Sequence, residues 1–152
     1  MVSDSADAQV VDLYKLAVEM ADRVSARRAA ANTYFVSVHS AIVAALAFLG
    51  SRVPPPPTGL LVAVCGVGVL AAGVWFVLLR SYRELNRVKF SVIIELEKRL
   101  PARVYNDEWA LIQQTRTGGW RSRYAELGAV ERLAPLLFAA LDVAIAVYLV
   151  VS

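Results

Sequence analysis

Three long apolar runs constrain this chain more than any other feature. They extend over Thr33–Leu49, Gly59–Leu79 and Leu133–Val151, and they hold 17, 21 and 19 residues. Because an α-helix rises about 1.5 Å per residue, such runs would extend roughly 25 to 32 Å, which matches the ~30 Å hydrocarbon core of a bilayer. The first two runs carry no charge and the third carries one, Asp142. The pattern predicts an all-α integral membrane protein with three helical spans.

Composition supports that class. Apolar residues make up 58 % of the 152 residues, above the roughly 45–50 % usual for soluble domains. The single cysteine, Cys65, lies inside the second run, so an intrachain disulfide is excluded and a small buried apolar role is expected. The acidic opening stretch MVSDSADAQVVD lacks the basic region that precedes the apolar core of a cleaved signal peptide.

The distribution of Lys and Arg predicts the orientation. Residues 1–32 carry four of them and residues 80–132 carry eleven, whereas the connection SRVPPPPT carries one. Since basic loops stay on the cytoplasmic side, we expect the N-terminus and residues 80–132 in the cytoplasm of a bacterial cell, with the protein in its inner membrane. The net charge of +3 is therefore a topology signal. These basic residues lie beside a membrane and alternate with acids, so nucleic acid is not an expected partner.

These patterns divide the chain into five consecutive segments. The expected order is an amphipathic helix over 1–32 that continues into a first membrane helix over 33–50, a short outer connector over 51–58, a second membrane helix over 59–79, a cytoplasmic helical region over 80–132 and a third apolar helix over 133–152. No breaker separates the first two segments, and four prolines make the connector stiff and extended. Pro135 predicts a kink where the last helix enters its apolar run.

Two cytoplasmic stretches are amphipathic. The first has an apolar stripe at helical spacing: Val10, Leu13, Tyr14, Ala17, Ala21 and Val24. The second, RSYRELNRVKFSVIIELEKRLP, has one at Leu85, Val88, Val92, Leu96 and Leu100. We expect the second stripe to cover the first, with neighbouring subunits as further contacts. Pro101 should end that helix, and Asn106 or Asp107 should cap a short helix that stops at Gly118 and Gly119, before Ser122 opens the last one.

Motifs that carry catalysis are absent from the sequence. It has no HExxH, CxxC, GxSxG or Walker-type phosphate loop, and the two glutamates Glu95 and Glu97 point to different faces of their helix. We therefore expect no enzymatic activity, no metal site and no cofactor.

The polar residues inside the apolar runs are the most informative ones. Asp142 costs at least ~2.5 kcal/mol at the centre of a membrane helix, so it should face protein or water. One interpretation is a protonated or hydrogen-bonded carboxyl at a helix interface. Another is a ring of carboxylates that favours cations around a pore, with Ser37, His39 and Ser40 as further candidates for the lining. Three alternatives remain: a structural, hydrogen-bonded or interface role for His39, a proton-linked role for His39, and a last helix that is buried in protein and does not span the membrane.

Four blocks carry a resemblance to a known family: LYKLAVEMADRVSARRAAAN, SYRELNRVKFSVIIELEKRLP, YNDEW and VERLAPLLF. In their order they resemble the RipA family of octameric bacterial inner-membrane proteins. They are similar, more loosely, to SLATT domains, small membrane proteins proposed as pore-forming effectors. The resemblance implies a homo-oligomeric ring, with eight as the implied number of subunits, and no established enzymatic activity.

The blocks and their flanks supply the candidate functional residues. Candidates for subunit assembly or for contact with the membrane interface are Arg23, Arg27, Arg28, Asn32, Tyr82, Arg83, Asn86, Lys89, Phe90, Glu95, Glu97, Tyr105 and Trp109. Candidates for a lipid headgroup or partner contact are Arg116, Trp120, Arg121 and Arg123. The expected function is a membrane scaffold or pore assembled through the cytoplasmic helices. The alternatives are a cytoplasmic platform that recruits a protein or anionic lipid, and a SLATT-like pore-forming effector.

Overall fold

A computed structural model describes residues 2–115 and 123–151 of the chain. The element order is α1 (Val2–Gly50), α2 (Thr58–Glu97), α3 (Val104–Thr115) and α4 (Arg123–Val151). Within those ranges no residue lies in a β-strand, so the predicted all-α class is confirmed. Arg116, Trp120 and Arg121, and the predicted helix signals at Gly118, Gly119 and Ser122, lie outside the described residues.

Three of the four helices are long and apolar enough to span a membrane. The candidate spans lie in Ala8–Gly50, Thr58–Glu97 and Glu131–Val151. α1 continues for 49 residues and α2 for 40 residues without interruption, because neither contains a proline that would remove a backbone donor. α4 does contain one, Pro135, whose side chain is buried.

The predicted boundaries around Pro101 were wrong by a few residues. α2 ends at Glu97, and the amides of Lys98, Arg99 and Leu100 bond to carbonyls three residues back, a tightening that is common at helix ends. α3 begins at Val104, so Asn106 and Asp107 lie inside its first turn instead of capping it. The side chain that reaches this helix end comes from Glu97, which local sequence spacing does not reveal.

The chain divides into two compact units. Unit 1 comprises Met1–Arg28 and Ser81–Glu126, and unit 2 comprises Ala29–Arg80 and Leu127–Ser152. Unit 2 contains an apolar cluster of Leu46, Leu61 and Cys65, which agrees with the small buried role expected for the cysteine. In unit 1 the fully buried apolar side chains include Ala21, Val24 and Ile93.

The expected packing of the second amphipathic stripe was wrong for three of its five residues, whereas Leu96 and Leu100 are half-buried. Leu85, Val88 and Val92 are 45 %, 53 % and 50 % exposed, so they do not cover the stripe on α1. The α2 side chains that do point inward in unit 1 are Ile93 and Glu97, which are both fully buried. The prediction failed because it assigned the inner face from apolar residues alone, whereas Glu97 is one of the residues that define that face.

Candidate functional site

Unit 2 holds a buried polar centre built from three helices. Its members are His39 on α1, Gly68 on α2 and Asp142 on α4, and this set is called the polar centre below. His39 is 0 % exposed and Asp142 is 1 % exposed. All three positions lie within helices that are long and apolar enough to span a membrane. Polar groups at such depth normally have partners or a function, because an unpaired one is costly in lipid.

Both ring nitrogens of His39 face backbone carbonyl oxygens. Nδ1 lies 2.9 Å from the oxygen of Phe35, one helical turn earlier on α1. Nε2 lies 3.3 Å from the oxygen of Gly68 on α2. A carbonyl oxygen can only accept a hydrogen bond, and a neutral imidazole has only one N–H to donate. The two contacts are therefore both favourable only when both nitrogens carry a proton.

At Gly68 on α2, side chains from the two other helices meet: His39 of α1 and Asp142 of α4. A methyl group added at this residue would overlap the carboxylate of Asp142, whereas the same addition at Gly66 or Gly73 meets nothing within 4 Å. The absent side chain thus makes the space that Asp142 occupies. A larger residue at this position would displace the carboxylate.

The carboxylate of Asp142 is incompletely satisfied. Its Oδ2 is buried and has no hydrogen-bond partner among the described residues. Asp142 lies close enough to His39 and to Cys65 for their charges to interact. These are the titratable side chains found near it in the part of the chain that the structure describes.

Aromatic rings enclose the histidine. The ring of His39 lies 4.7 Å from that of Phe138 and 5.7 Å from that of Trp75, measured between centroids. Trp75 also stacks on Phe35 at 5.7 Å, and its Nε1–H donates a 2.9 Å hydrogen bond to Oδ1 of Asn32. These rings surround the imidazole with low-polarity surface, which strengthens any charge interaction inside the polar centre.

Unit 1 has a second buried carboxylate, Glu97, which is 0 % exposed. Its Oε1 accepts hydrogen bonds from the hydroxyl of Tyr14 at 3.0 Å and from the amide of Tyr105 at 2.8 Å. Its Oε2 accepts one from the amide of Asn106 at 3.1 Å. We call these four residues the Glu97 cluster. Since the amides at a helix start have no partner within the helix, Glu97 serves as the cap of α3 and also stabilises its positive end.

Three side chains in or beside the Glu97 cluster have shifted pKa values. Burial raises the pKa of Tyr14 to about 12, and the hydrogen bond to Glu97 adds to the effect. Burial also raises the pKa of Tyr105. Glu95 behaves in the opposite way, because its hydrogen bond to Lys98 lowers the pKa of that exposed carboxyl. Both tyrosines lie outside the apolar runs and in unit 1.

A further polar contact joins the same two helices of unit 1. Nδ2 of Asn86 donates a 3.3 Å hydrogen bond to Oγ of Ser25, while Oδ1 of Asn86 is buried without a partner in the described part of the chain. The ring of Phe90 contacts that of Tyr105 edge-on, with 5.8 Å between centroids. The predicted assembly residues Asn86, Phe90 and Tyr105 therefore each make contacts within one protomer, Asn86 with Ser25 and Phe90 with Tyr105.

The other predicted residues lie apart from these clusters. Ser37 and Ser40 are exposed on α1 and do not join His39. Arg23 pairs with Glu19 at 2.7 Å. The remaining assembly candidates are exposed (Arg27, Arg83 and Trp109) or half-buried (Arg28, Tyr82 and Lys89). Arg123 begins α4, and its side chain lies outside the described part of the structure.

Two functional features were not predicted from the sequence. The role of Gly68 was missed because small residues such as those of its stretch GVGVLAAG favour close helix packing in general, with no pointer to a particular carboxylate. The link between Tyr14 and Glu97 was missed because 83 residues separate them. The available signal was the four-residue spacing of Ile93 and Glu97, which places both side chains on one face of α2.

The described residues hold no group of three or more His, Cys, Asp or Glu side chains that could bind a metal. Comparison with known proteins gives one result. A family model described as the octameric membrane protein family (8xMP) matches residues 11–151. Searches of curated proteins and of solved structures returned no match. With three helices suited to span a membrane and a family match over nearly its whole length, the chain belongs to the octameric membrane protein family.

Proposed function

We propose that this protein is a self-assembling scaffold of the bacterial inner membrane, whose subunits join through the apolar side of unit 1. The observation that carries the proposal is the exposed row of Leu85, Val88 and Val92 on α2. These positions follow one another at spacings of three and four, so they lie on one helix face.

A second exposed row in unit 1 supports the same conclusion. On α1, Leu13, Leu16 and Met20 are 55 %, 52 % and 45 % exposed, again at spacings of three and four. Scattered exposed apolar residues are ordinary, whereas contiguous rows on an amphipathic helix indicate an interaction surface. Both rows lie outside the apolar runs, where lipid would not cover them.

The occupant that fits this surface is a second copy of the chain. The family is one of octameric membrane proteins, and eight copies give each unit 1 a neighbour. Charged residues flank the α2 row, with Glu84 and Arg87 in a 3.8 Å ion pair on the exposed surface. An apolar centre with a charged rim is the usual anatomy of a subunit interface.

A pore is the second candidate, and one observation favours it. Thr33, Ser37 and Ser40 are exposed on α1 at spacings of four and three, so their hydroxyls follow one helix face. In a ring this face would supply polar groups to an axis. His39 and Asp142 are poorer candidates for the lining than the sequence indicated, because a single protomer already buries them.

The scaffold proposal is tested by adding a charge to the row on α2. We expect V88D and V92D to reduce or abolish the octamer when the purified protein is sized by native mass spectrometry in detergent or in lipid nanodiscs. The control is S91D, which places the same carboxylate at an exposed position outside the row, about 100° around α2 from Val92. Helix content by circular dichroism shows whether each variant remains folded. Octamers that persist in folded V88D and V92D would contradict the proposal.

The same preparations separate scaffold from pore. Ion flux across liposomes that contain the wild-type protein should equal the flux across empty liposomes if the protein is a scaffold alone. A flux that S37V or S40V reduces, while the octamer remains intact, would favour the pore. The binding-platform alternative predicts instead an octamer that is indifferent to V88D and V92D.

A further inference from the structure

The polar centre of unit 2 has a feature that self-assembly does not explain. A scaffold needs no buried charge between its membrane helices, yet His39 and Asp142 are 0 % and 1 % exposed and come from different helices. Neither belongs to the exposed rows of unit 1. A role for these two residues is therefore independent of whether those rows join the subunits.

The contacts of His39 bear on its protonation. Nδ1 faces the oxygen of Phe35 at 2.9 Å and Nε2 faces the oxygen of Gly68 at 3.3 Å. If the ring were neutral, one nitrogen lone pair would point at a carbonyl lone pair in a low-polarity enclosure, where that repulsion is strongest. If the ring is an imidazolium, both nitrogens donate hydrogen bonds and both carbonyl oxygens accept one.

A buried imidazolium requires a counter-charge. Asp142 is the carboxyl group that the fold brings to the same place, since it fills the space above Gly68, whose carbonyl oxygen contacts His39. Its Oδ2 has no hydrogen-bond partner among the described residues. Gly68 is thus a neighbour of both groups. Its carbonyl oxygen contacts His39, and the carboxylate of Asp142 lies where a side chain at position 68 would be.

We propose that His39 and Asp142 form a proton-binding site within the membrane, in which one proton is held on the imidazole of His39 and the carboxylate of Asp142 is its counter-ion. The pair has no net charge in this state. Loss of the proton would leave an unpaired carboxylate between α1, α2 and α4, and gain of a second proton would leave an unpaired imidazolium. The site therefore makes the packing of these three helices dependent on protonation.

Two other titratable side chains lie near Asp142 in the described part of the chain. His39 comes from α1, Cys65 from α2 and Asp142 from α4, and Cys65 is 1 % exposed and near the carboxylate. A thiolate at Cys65 would be a rival counter-ion for His39. The experiment therefore needs a variant of this cysteine as well as one of the aspartate.

The single histidine makes a direct test possible. In protein labelled with ¹⁵N-histidine and reconstituted in lipid, solid-state NMR reports the two ring nitrogens of His39 without overlap. We expect both nitrogens to be protonated at neutral pH in the wild type and only one in D142N. The matched control D12N removes an exposed carboxylate of unit 1 and should leave both protonated. C65S should also leave both protonated.

Several results would overturn the proposal. They are a neutral ring in the wild type at neutral pH, an imidazolium that persists in D142N, and a ring that becomes neutral in C65S. Should D142N fail to assemble, the wild type alone decides the matter. In protein labelled with ¹³C-aspartate as well, a ¹³C–¹⁵N distance experiment selects the aspartate beside His39. A carboxylate shift there supports the ion pair, and a carboxylic acid shift contradicts it.

Discussion

Tyr14 and Glu97 lie 83 residues apart in the chain, and the hydroxyl of Tyr14 donates a 3.0 Å hydrogen bond to Oε1 of Glu97. The same carboxylate accepts hydrogen bonds from the backbone amides of Tyr105 and Asn106 at the start of α3. One side chain therefore connects the first part of α1, the end of α2 and the beginning of α3. A buried carboxylate with three donors is well satisfied, and each donor loses its partner if the carboxylate is removed.

Replacing Glu97 should release α3. In E97A the amides of Tyr105 and Asn106 lose their acceptor and the half-buried Tyr14 loses its hydrogen-bond partner, so we expect a loss of about 2–3 kcal/mol in the stability of unit 1. Hydrogen exchange measured by mass spectrometry should become faster in the first turn of α3.

The control for this change is E95A, two residues away on the same helix. Glu95 is exposed and pairs with Lys98 at 2.6 Å, and exposed ion pairs contribute only about 0–1 kcal/mol. Equal exchange rates in α3 for E97A and E95A would show that Glu97 does not cap this helix.

The Glu97 cluster should weaken at high pH. The pKa of Tyr14 is raised to about 12 in the folded protein, against about 10 for an unperturbed tyrosine. Since the unfolded chain loses this proton first, the contribution of Tyr14 is complete below pH ~10 and declines as the pH rises towards 12. The thermal midpoint of the wild type should fall over this window, and the fall should be smaller in Y14F.

Tyrosinate absorbance near 295 nm gives a second measurement of the same change. The difference between wild type and Y14F isolates one of the six tyrosines, and it should titrate near pH 12. A difference curve with its midpoint near 10 would mean that Tyr14 is not held by Glu97.

The parts of this fold that follow from local pattern were predictable from the sequence. Apolar runs of 17 to 21 residues favour helices in a bilayer. Helices and closed β-barrels are the structures that satisfy every backbone hydrogen bond there. The four blocks of sequence indicated an octameric membrane protein, and the family match confirms that part of the resemblance. The RipA and SLATT relationships, the inner-membrane orientation and the roles of the site residues stay predictions.

The parts that depend on long-range packing could not be predicted. Helical periodicity identifies an apolar face on α2, but it does not say whether Leu85, Val88 and Val92 meet the same protomer or another one. Nor does it reveal that Glu97 points inward, because a charged residue is normally assigned to the outside. The convergence of His39 and Asp142 at Gly68 depends on the rotation of three helices about their axes, which spacing within each helix leaves open.

Trp75 should stabilise unit 2 by more than the burial of its apolar ring alone contributes. Its indole N–H bonds to Asn32 at 2.9 Å while its ring contacts those of Phe35 and Phe138. W75F keeps an aromatic ring but removes the donor, so we expect a loss of about 1–2 kcal/mol, read as a lower thermal midpoint. W109F is the control, because Trp109 is 52 % exposed. A loss that is no larger in W75F than in W109F would show that this hydrogen bond is unimportant.

Gly68 offers the sharpest steric test of the polar centre. In G68A the new methyl group would occupy the space of the Asp142 carboxylate, so either the carboxylate or α4 must move. Overpacking of this kind typically costs about 1–3 kcal/mol, and the thermal midpoint of the protein in lipid nanodiscs should fall accordingly. The matched change G66A meets nothing within 4 Å. Since alanine favours a helix over glycine by up to about 1 kcal/mol, G66A should be neutral or stabilising. If G68A is as stable as G66A, then Asp142 does not pack over Gly68, and the carboxylate lies elsewhere between the helices.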